Sequence, residues 1–215
     1  TDKTLCWEEL STEHLIRDRW IDFRKTAYRY PDGREFSPFY SFNRQDYAVI
    51  VATDEAGRYI CVRQFRQGIR EVTNEFPAGG IEFKDSETGI KDPVSAAENR
   101  FERLDTLPTK DHRSSVCIDQ ALSAAKRELA EETGYTSDEW EFLMALPSYA
   151  TLSDNYAYLF RARNCRRICE QNLDETECLS AELYSADEIE TLIQEGKFQQ
   201  ATHLLAWYLL KNREK

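Results

Sequence analysis

Three kinds of hydrophobic spacing run along this chain, and each predicts a different element. The apolar positions Ile118, Leu122, Ala125 and Leu129 recur at intervals of four, three and four, the stripe of a helix that buries one face. Gly134 follows where a left-handed residue commonly ends a helix. Residues 47–52 and 59–62 are unbroken apolar runs around a turn at 55–57 and read as buried strands. Residues 142–146, 156–160 and 179–184 read as further strands. Ser185 with Glu188 makes a capping box that opens a helix closing before Gly196, and Leu204, Leu205, Tyr208 and Leu209 predict the buried face of a last helix. Ahead of all this, residues 20–30 alternate loosely, Tyr30-Pro31-Asp32-Gly33 marks a turn, and residues 36–42 resume the alternation. The expectation is an α/β chain with a mixed sheet between helices, in which residues 1–44 form an N-terminal β extension, a hairpin, ahead of a core domain at 45–215.

Composition narrows the classes. With 215 residues and 41% hydrophobic content the chain can bury a real interior as one domain or a core with an extension. No segment approaches the ~20 apolar residues needed to cross a bilayer, so no membrane partner is expected. The amino end lacks the basic-then-apolar pattern of a secretory signal, and a cytoplasmic protein is the expectation. Cysteines at 6, 61, 117, 165, 169 and 178 and histidines at 14, 112 and 203 show no zinc-ligand spacing, and they argue against Cys-His or Ser-His-Asp catalysis. A disulfide framework is not expected at this size, and Cys61 in its apolar run reads as core. A net charge of −11, with one basic cluster at Arg161, Arg163, Arg166 and Arg167, excludes long nucleic acids as partners. A small anion carried with a bound cation fits that charge better.

The chemistry concentrates in the helix of the first stripe. Residues 124–135 read Ala-Ala-Lys-Arg-Glu-Leu-Ala-Glu-Glu-Thr-Gly-Tyr, so Glu128 stands beside both Glu131 and Glu132 on one flank of the apolar stripe. Like-charged neighbours at this spacing cost an isolated helix roughly 0.2–0.5 kcal/mol each. A hard divalent cation that prefers carboxylate oxygens, Mg²⁺ with Mn²⁺ as the alternative, offsets that cost. A solvated acidic face is the other reading.

Residues 127–135, Arg-Glu-Leu-Ala-Glu-Glu-Thr-Gly-Tyr, resemble the second half of the Nudix box of hydrolases acting on nucleoside diphosphates linked to another moiety. Upstream, Glu75-Phe76-Pro77-Ala78-Gly79-Gly80-Ile81-Glu82 resembles the loop that opens the box, and the stretches at 62–66, 71–73, 147–155 and the final helix fall where the ADP-ribose pyrophosphatase branch has counterparts. The resemblance covers most of residues 45–212. It implies a Nudix-type α/β/α sandwich, and Glu128, Glu132 and Glu131 as metal ligands, Glu131 alternatively orienting the attacking water. The backbone of Ala78 joins the ligand set. It also implies a base glutamate in the loop 173–179, where Glu177 aligns first and Glu175 second, a solvated loop being the alternative. Arg63, Arg66, Arg70, Glu82 and Tyr149 are the candidates for substrate contact or site support, with Gly80 and Gly134 shaping the loop and the helix end. Arg127 is implied as a structural partner of the box's first acidic residue, here Asp119, and Asp119 suits a helix N-cap equally well.

Two departures from the family pattern stand out. In the family the box arginine follows the loop glycine by about 14 positions, whereas Gly80 to Arg127 spans 47, so about 33 residues are inserted near 83–116. That insertion holds a stretch at 92–101 that imitates the start of the box helix without its later glutamates, and it reads as a short helix and loop on the surface. The proline of the usual specificity stretch is replaced by Tyr149 within Ser148–Asp154. Tyr149 either stacks on a base or sugar or simply packs. The resemblance implies cleavage of ADP-ribose or a nucleotide sugar into two monophosphates by a homodimer paired through the extension. A non-catalytic nucleotide-sugar-binding or protein-interaction module on the same fold is the alternative, and it is disfavoured because all three box glutamates are present.

Overall fold

The computed structural model of the chain describes residues 3–18, 21–81, 84–85, 89–90 and 109–213. Glu82, the stretch at 92–101 and most of the insertion lie outside the described residues. The chain divides into two compact units.

The first unit holds three antiparallel strands, one more than the expected hairpin: β1 (Glu8–Arg17), β2 (Asp22–Arg29) and β3 (Glu35–Asn43), in that order. β1 escapes a periodicity reading because most of its side chains are polar and exposed. Its ladder to β2 holds it, with Thr12 meeting Thr26 and Lys25 meeting Glu13. The segment Pro147–Tyr156 belongs to the same unit. There the Phe42 amide donates to the Leu152 carbonyl at 2.8 Å, and Arg24 and Asn43 both donate to the Asp154 carboxylate at 3.0 Å.

The second unit is built on a mixed sheet. Its early strands are β4 (Tyr47–Asp54), β5 (Tyr59–Arg66), β6 (Glu71–Glu75) and β7 (Ala78–Gly80). Two-residue strands β8 (Lys84–Asp85) and β9 (Gly89–Ile90), which belong to the first unit, pair with each other. Helix α1 (Thr109–Thr133) follows, then β10 (Tyr135–Thr136), β11 (Glu139–Pro147), β12 (Tyr156–Arg167) and β13 (Leu179–Tyr184). Helices α2 (Ala186–Gln194) and α3 (Ala201–Arg213) close the chain. The strand order is β10-β12-β4-β5-β13, with β11 on β12, β6 on β5 and β7 on β4. β12 runs parallel to β4, and the β4–β5, β5–β6, β4–β7 and β5–β13 pairs are antiparallel.

Both faces of this sheet are buried, which is why its central strands read as continuous apolar runs rather than alternations. Val49, Val51, Tyr59, Cys61, Ala157 and Leu159 share one cluster with Ile189 of α2 and Ala206, Trp207 and Leu210 of α3. The alternate residues Ala48, Ile50, Ala52, Ile60, Val62 and Phe160 are as deeply buried on the other side. The buried stripe of α1 runs through Ala121, Ala124, Ala125 and Leu129. Such burial is worth about 1.5–3 kcal/mol for each large side chain. α1 begins at Thr109, so the end of the insertion belongs to this helix. Among the described residues no helix is long and apolar enough to cross a membrane.

The last helix corrects an expectation. Its buried face is His203, Ala206, Trp207 and Leu210, while Tyr208 is 46% exposed and Leu204, Leu205 and Leu209 are half-buried. The positions 203, 206, 207 and 210 follow helical spacing, but the first is a histidine and adds no apolar signal to the pattern. His203 fits because its Nδ1 accepts the Phe76 amide at 3.1 Å, and its ring lies parallel to that of Phe76. Burial lowers its pKa to about 4, against the opposing pull of Glu75.

That shift predicts a loss of stability in acid. Above the unfolded value of 6.5 both states hold His203 neutral, and its burial is fully tolerated. As pH falls from 6.5 toward 4 the unfolded chain takes the proton and the folded chain does not, so stability drops through this window. The drop approaches about 3 kcal/mol. Denaturant unfolding of the wild type and His203→Asn between pH 7.5 and 4 should show this loss in the wild type only; parallel curves would refute it.

Candidate active site

α1 carries its glutamates to its C-terminal end, where the chain must turn. Gly134, at φ 77°, makes that turn, its amide donating to the Ala130 carbonyl at 2.8 Å. A Cβ at Gly134 would collide with the Cys169 carbonyl, so both conformation and space require glycine there. Gln171 donates to the Glu132 carbonyl at 2.6 Å, which satisfies one of the otherwise open carbonyls of the helix end.

Among the described residues, Glu128, Glu132 and Glu177 bring carboxylate oxygens within 4.8 Å of one another. Glu128 and Glu132 are buried, at 6% and 2% exposure, and Glu177 is half-buried on the loop before β13. Burial, reinforced by the charges of Glu131 and Glu177 and opposed by Arg127, pushes the Glu128 carboxyl up to about 7. Burial also raises Glu132 well above the ordinary carboxylate range, with Glu128 and Glu177 adding to it and the Ala78 amide opposing. Two buried carboxylates and a third beside them form an all-oxygen donor set, the chemistry that suits Mg²⁺ or Mn²⁺. A cation among them would favour the ionised carboxylates against the burial and mutual repulsion that raise their pKa values.

Glu131 is not in this group. Its carboxylate accepts from Arg127 Nη1 at 2.6 Å, while Arg127 Nη2 donates to Glu128 Oε1 at 2.7 Å and to the Gly80 carbonyl at 3.1 Å. Arg127 therefore ties the helix to the loop. Asp119 lies well inside α1, exposed, so it does not cap the helix, and the hydrogen bonds of Arg127 go to Glu128, Glu131 and Gly80. Glu175 is exposed on the same loop as Glu177.

The loop that faces the carboxylates runs from Glu75 to Gly80. The Ala78 amide donates to Glu132 Oε2 at 2.9 Å, and the Pro77 carbonyl accepts from Ile50 at 2.9 Å. Gly79 lies so close to Glu128 that a Cβ there would overlap its carboxylate. Arg66 holds the fully buried Glu75 with two hydrogen bonds, Nε to Oε1 at 2.9 Å and Nη2 to Oε2 at 2.5 Å. Burial alone would raise the Glu75 carboxyl, but the hydrogen bonds from Arg66 and Thr73 and the charges of His203 and Arg66 hold it below the usual range. Arg63 and Arg70 are exposed on and just beyond β5, Arg70 in the left-handed region at φ 58°. Tyr149, 56% exposed, belongs to the other unit, where its carbonyl accepts from the Leu152 and Ser153 amides.

Glu75, Gly79 and His203 were not singled out as site residues from sequence. The adjacent pair Gly79-Gly80 was a usable signal for close backbone approach. A glutamate directly before an apolar loop and a histidine on a helix offered none, because their partners lie far away in the chain.

A mixed sheet buried on both faces thus sets two buried glutamates at the end of α1 against a Gly-Gly loop. The NUDIX domain family model matches residues 119–208, beginning on the C-terminal side of the insertion. The fold is shared with a solved ADP compounds hydrolase at a TM-score of 0.68, with 17% identity over 96% of this chain and 92% of that one. No curated protein matches the chain at a significant level. Residues 119–208 are therefore similar to NUDIX domains in sequence, and the chain shares its fold with that solved hydrolase.

Proposed function

We propose that this protein is a divalent-cation-dependent hydrolase that cleaves the pyrophosphate bond of a nucleoside diphosphate linked to another group, ADP-ribose or a nucleotide sugar, into two monophosphates. The observation that carries the reading is the convergence of Glu128, Glu132 and Glu177 within 4.8 Å beside a glycine loop. Glu128 and Glu132 would hold the ion, Mg²⁺ or Mn²⁺, with the Ala78 backbone completing the set. A bound cation offsets the diphosphate charge and makes phosphorus more electrophilic. Glu177, half-buried where the other two are buried, would accept the proton of the attacking water. The water oxygen forms the new bond to phosphorus, the bridging oxygen leaves with the other monophosphate, and no covalent enzyme intermediate is required. Glu131 acts through Arg127 on loop and helix. Arg63 and Arg70 are the side chains assigned to the substrate.

The test is a panel of ADP-ribose, nucleotide sugars, dinucleotides and nucleoside triphosphates, assayed with Mg²⁺, with Mn²⁺ and with chelator. Cation-dependent release of two monophosphates from a diphosphate-linked compound is expected. Tight binding with no turnover of any member would overturn it in favour of a sensor.

We also propose that two copies pair through the N-terminal sheet in the cytoplasm. Leu15, Ile16, Phe36 and Tyr40 leave apolar surface exposed there, and Cys6, Cys169 and Cys178 are exposed free thiols, which persist in a reducing compartment. Light scattering should report a dimer for the wild type and a monomer for Ile16→Lys with Tyr40→Lys; a monomeric wild type refutes the pairing.

A further inference from the structure

The loop that faces the carboxylates is held by residues from the far end of the chain. Residues 197–203 meet β6 and the following loop almost position by position. Gln199 donates to Glu71 at 2.8 Å, and the backbone and side-chain amides of Asn74 both donate to the Lys197 carbonyl, at 2.9 and 3.0 Å. Gln200 donates to Glu75 Oε1 at 3.3 Å, and the Phe76 amide donates to His203 Nδ1 at 3.1 Å. Two residues beyond Phe76, the Ala78 amide reaches Glu132, and Gly79 rests against Glu128.

His203 is the one side chain in this series that takes a loop backbone amide at full burial, 3% exposed, among Phe76, Phe198 and Trp207. No water can replace its acceptor in such surroundings, so the direction of the Phe76 amide depends on that nitrogen. An amide plane that rotates at Phe76 is transmitted through Pro77, whose ring fixes its own φ, to Ala78. Groups one step removed from a metal ligand govern affinity by orienting it.

We propose that His203 is a positioning residue for the cation site: from α3 it fixes the backbone of Phe76–Gly79, and through it the orientation of the Glu132 and Glu128 carboxylates. The proposal rests on reading Glu128, Glu132 and Glu177 as the cation site.

The experiment follows Mn²⁺ binding by electron paramagnetic resonance on the full chain, a readout separate from turnover. It compares the wild type with His203→Asn, His203→Gln and His203→Leu. Asparagine places its oxygen near the position of Nδ1, glutamine carries its acceptor one bond further, and leucine fills the space with no acceptor. The Mn²⁺ dissociation constant should rise about tenfold in the Leu and Gln variants, and stay within about twofold of the wild type in the Asn variant. A folded Leu or Gln variant that binds Mn²⁺ as the wild type does overturns the proposal, and so does an Asn variant as weak as Leu. If the Leu variant does not fold, the Gln and Asn variants decide by the same criteria. A wild type that binds Mn²⁺ but hydrolyses nothing contradicts the proposed function while the variants still decide this point. A wild type that does not bind Mn²⁺ overturns both.

Discussion

Glu132→Gln is expected to lose at least about 100-fold in turnover while gaining stability at high pH. The loss follows from removing a charged oxygen from the proposed cation site. The fold should survive, because the glutamine carbonyl can still accept the Ala78 amide that now meets Glu132 Oε2 at 2.9 Å. The gain follows from the raised pKa of Glu132. In the unfolded chain this carboxyl ionises near its ordinary value of 4.5, whereas burial makes the folded chain keep the proton to higher pH. The folded state therefore binds more protons in that interval, and stability is fully present below 4.5 and falls as pH rises toward the folded value. Glutamine, which never ionises, removes that fall. Thermal melts in chelator at pH 5 and pH 8 should show the variant more stable than the wild type at pH 8 and the two closer at pH 5. A variant with wild-type turnover would refute the metal role of Glu132. A variant that simply unfolds would show the residue to be structural.

Gly79→Ala is expected to reduce turnover by about 100-fold with the melting temperature shifted by only a few degrees. Gly79 is not among the residues in the left-handed region, so alanine meets no backbone strain. What it meets is the Glu128 carboxylate. That carboxylate is the far end of a flexible side chain, so the methyl group displaces it from Glu132 and Glu177 without moving the sheet. Gly134→Ala differs in kind, because there the collision is with backbone and φ is positive. Steady-state kinetics beside a thermal melt separate the two effects. Wild-type turnover in Gly79→Ala would mean that Glu128 acts from some other position.

Particular residues show how far the fold and the site were legible in sequence. The run at 47–52 and the stripe at Ile118, Leu122, Ala125 and Leu129 disclosed a sheet buried on both sides and a helix packed by one face, because hydrophobic period reports burial directly. The same logic failed for β1, whose charged side chains carry no apolar period, and for α3, where a buried histidine stands in an apolar position. At the site, local spacing put Glu128 beside both Glu131 and Glu132, and a helix does place them together. Spacing could not tell that Arg127 would claim Glu131, or that a loop about 45 residues onward would supply the third oxygen at Glu177. Arg66 shows the same limit: nothing in its local spacing tells that it pairs with the buried Glu75. What sequence withheld in each case was a pairing between residues distant in the chain.

The carboxylates also explain one another. Glu128 and Glu132 are buried beside Glu177 only at the cost of raised carboxyl pKa values, about 7 for Glu128 and well above the ordinary carboxylate range for Glu132. A protein that keeps such groups for stability alone would do better with amides or apolar side chains.

The most direct measurement is anomalous diffraction at the manganese edge from crystals grown with Mn²⁺ and a non-hydrolysable diphosphate-linked nucleotide. The account predicts a peak bonded to oxygens of Glu128 and Glu132, with Glu177 beside it and Glu131 still on Arg127. A peak bound to Glu131 but not to Glu132, or none at this end of α1 while the nucleotide is bound, would contradict it.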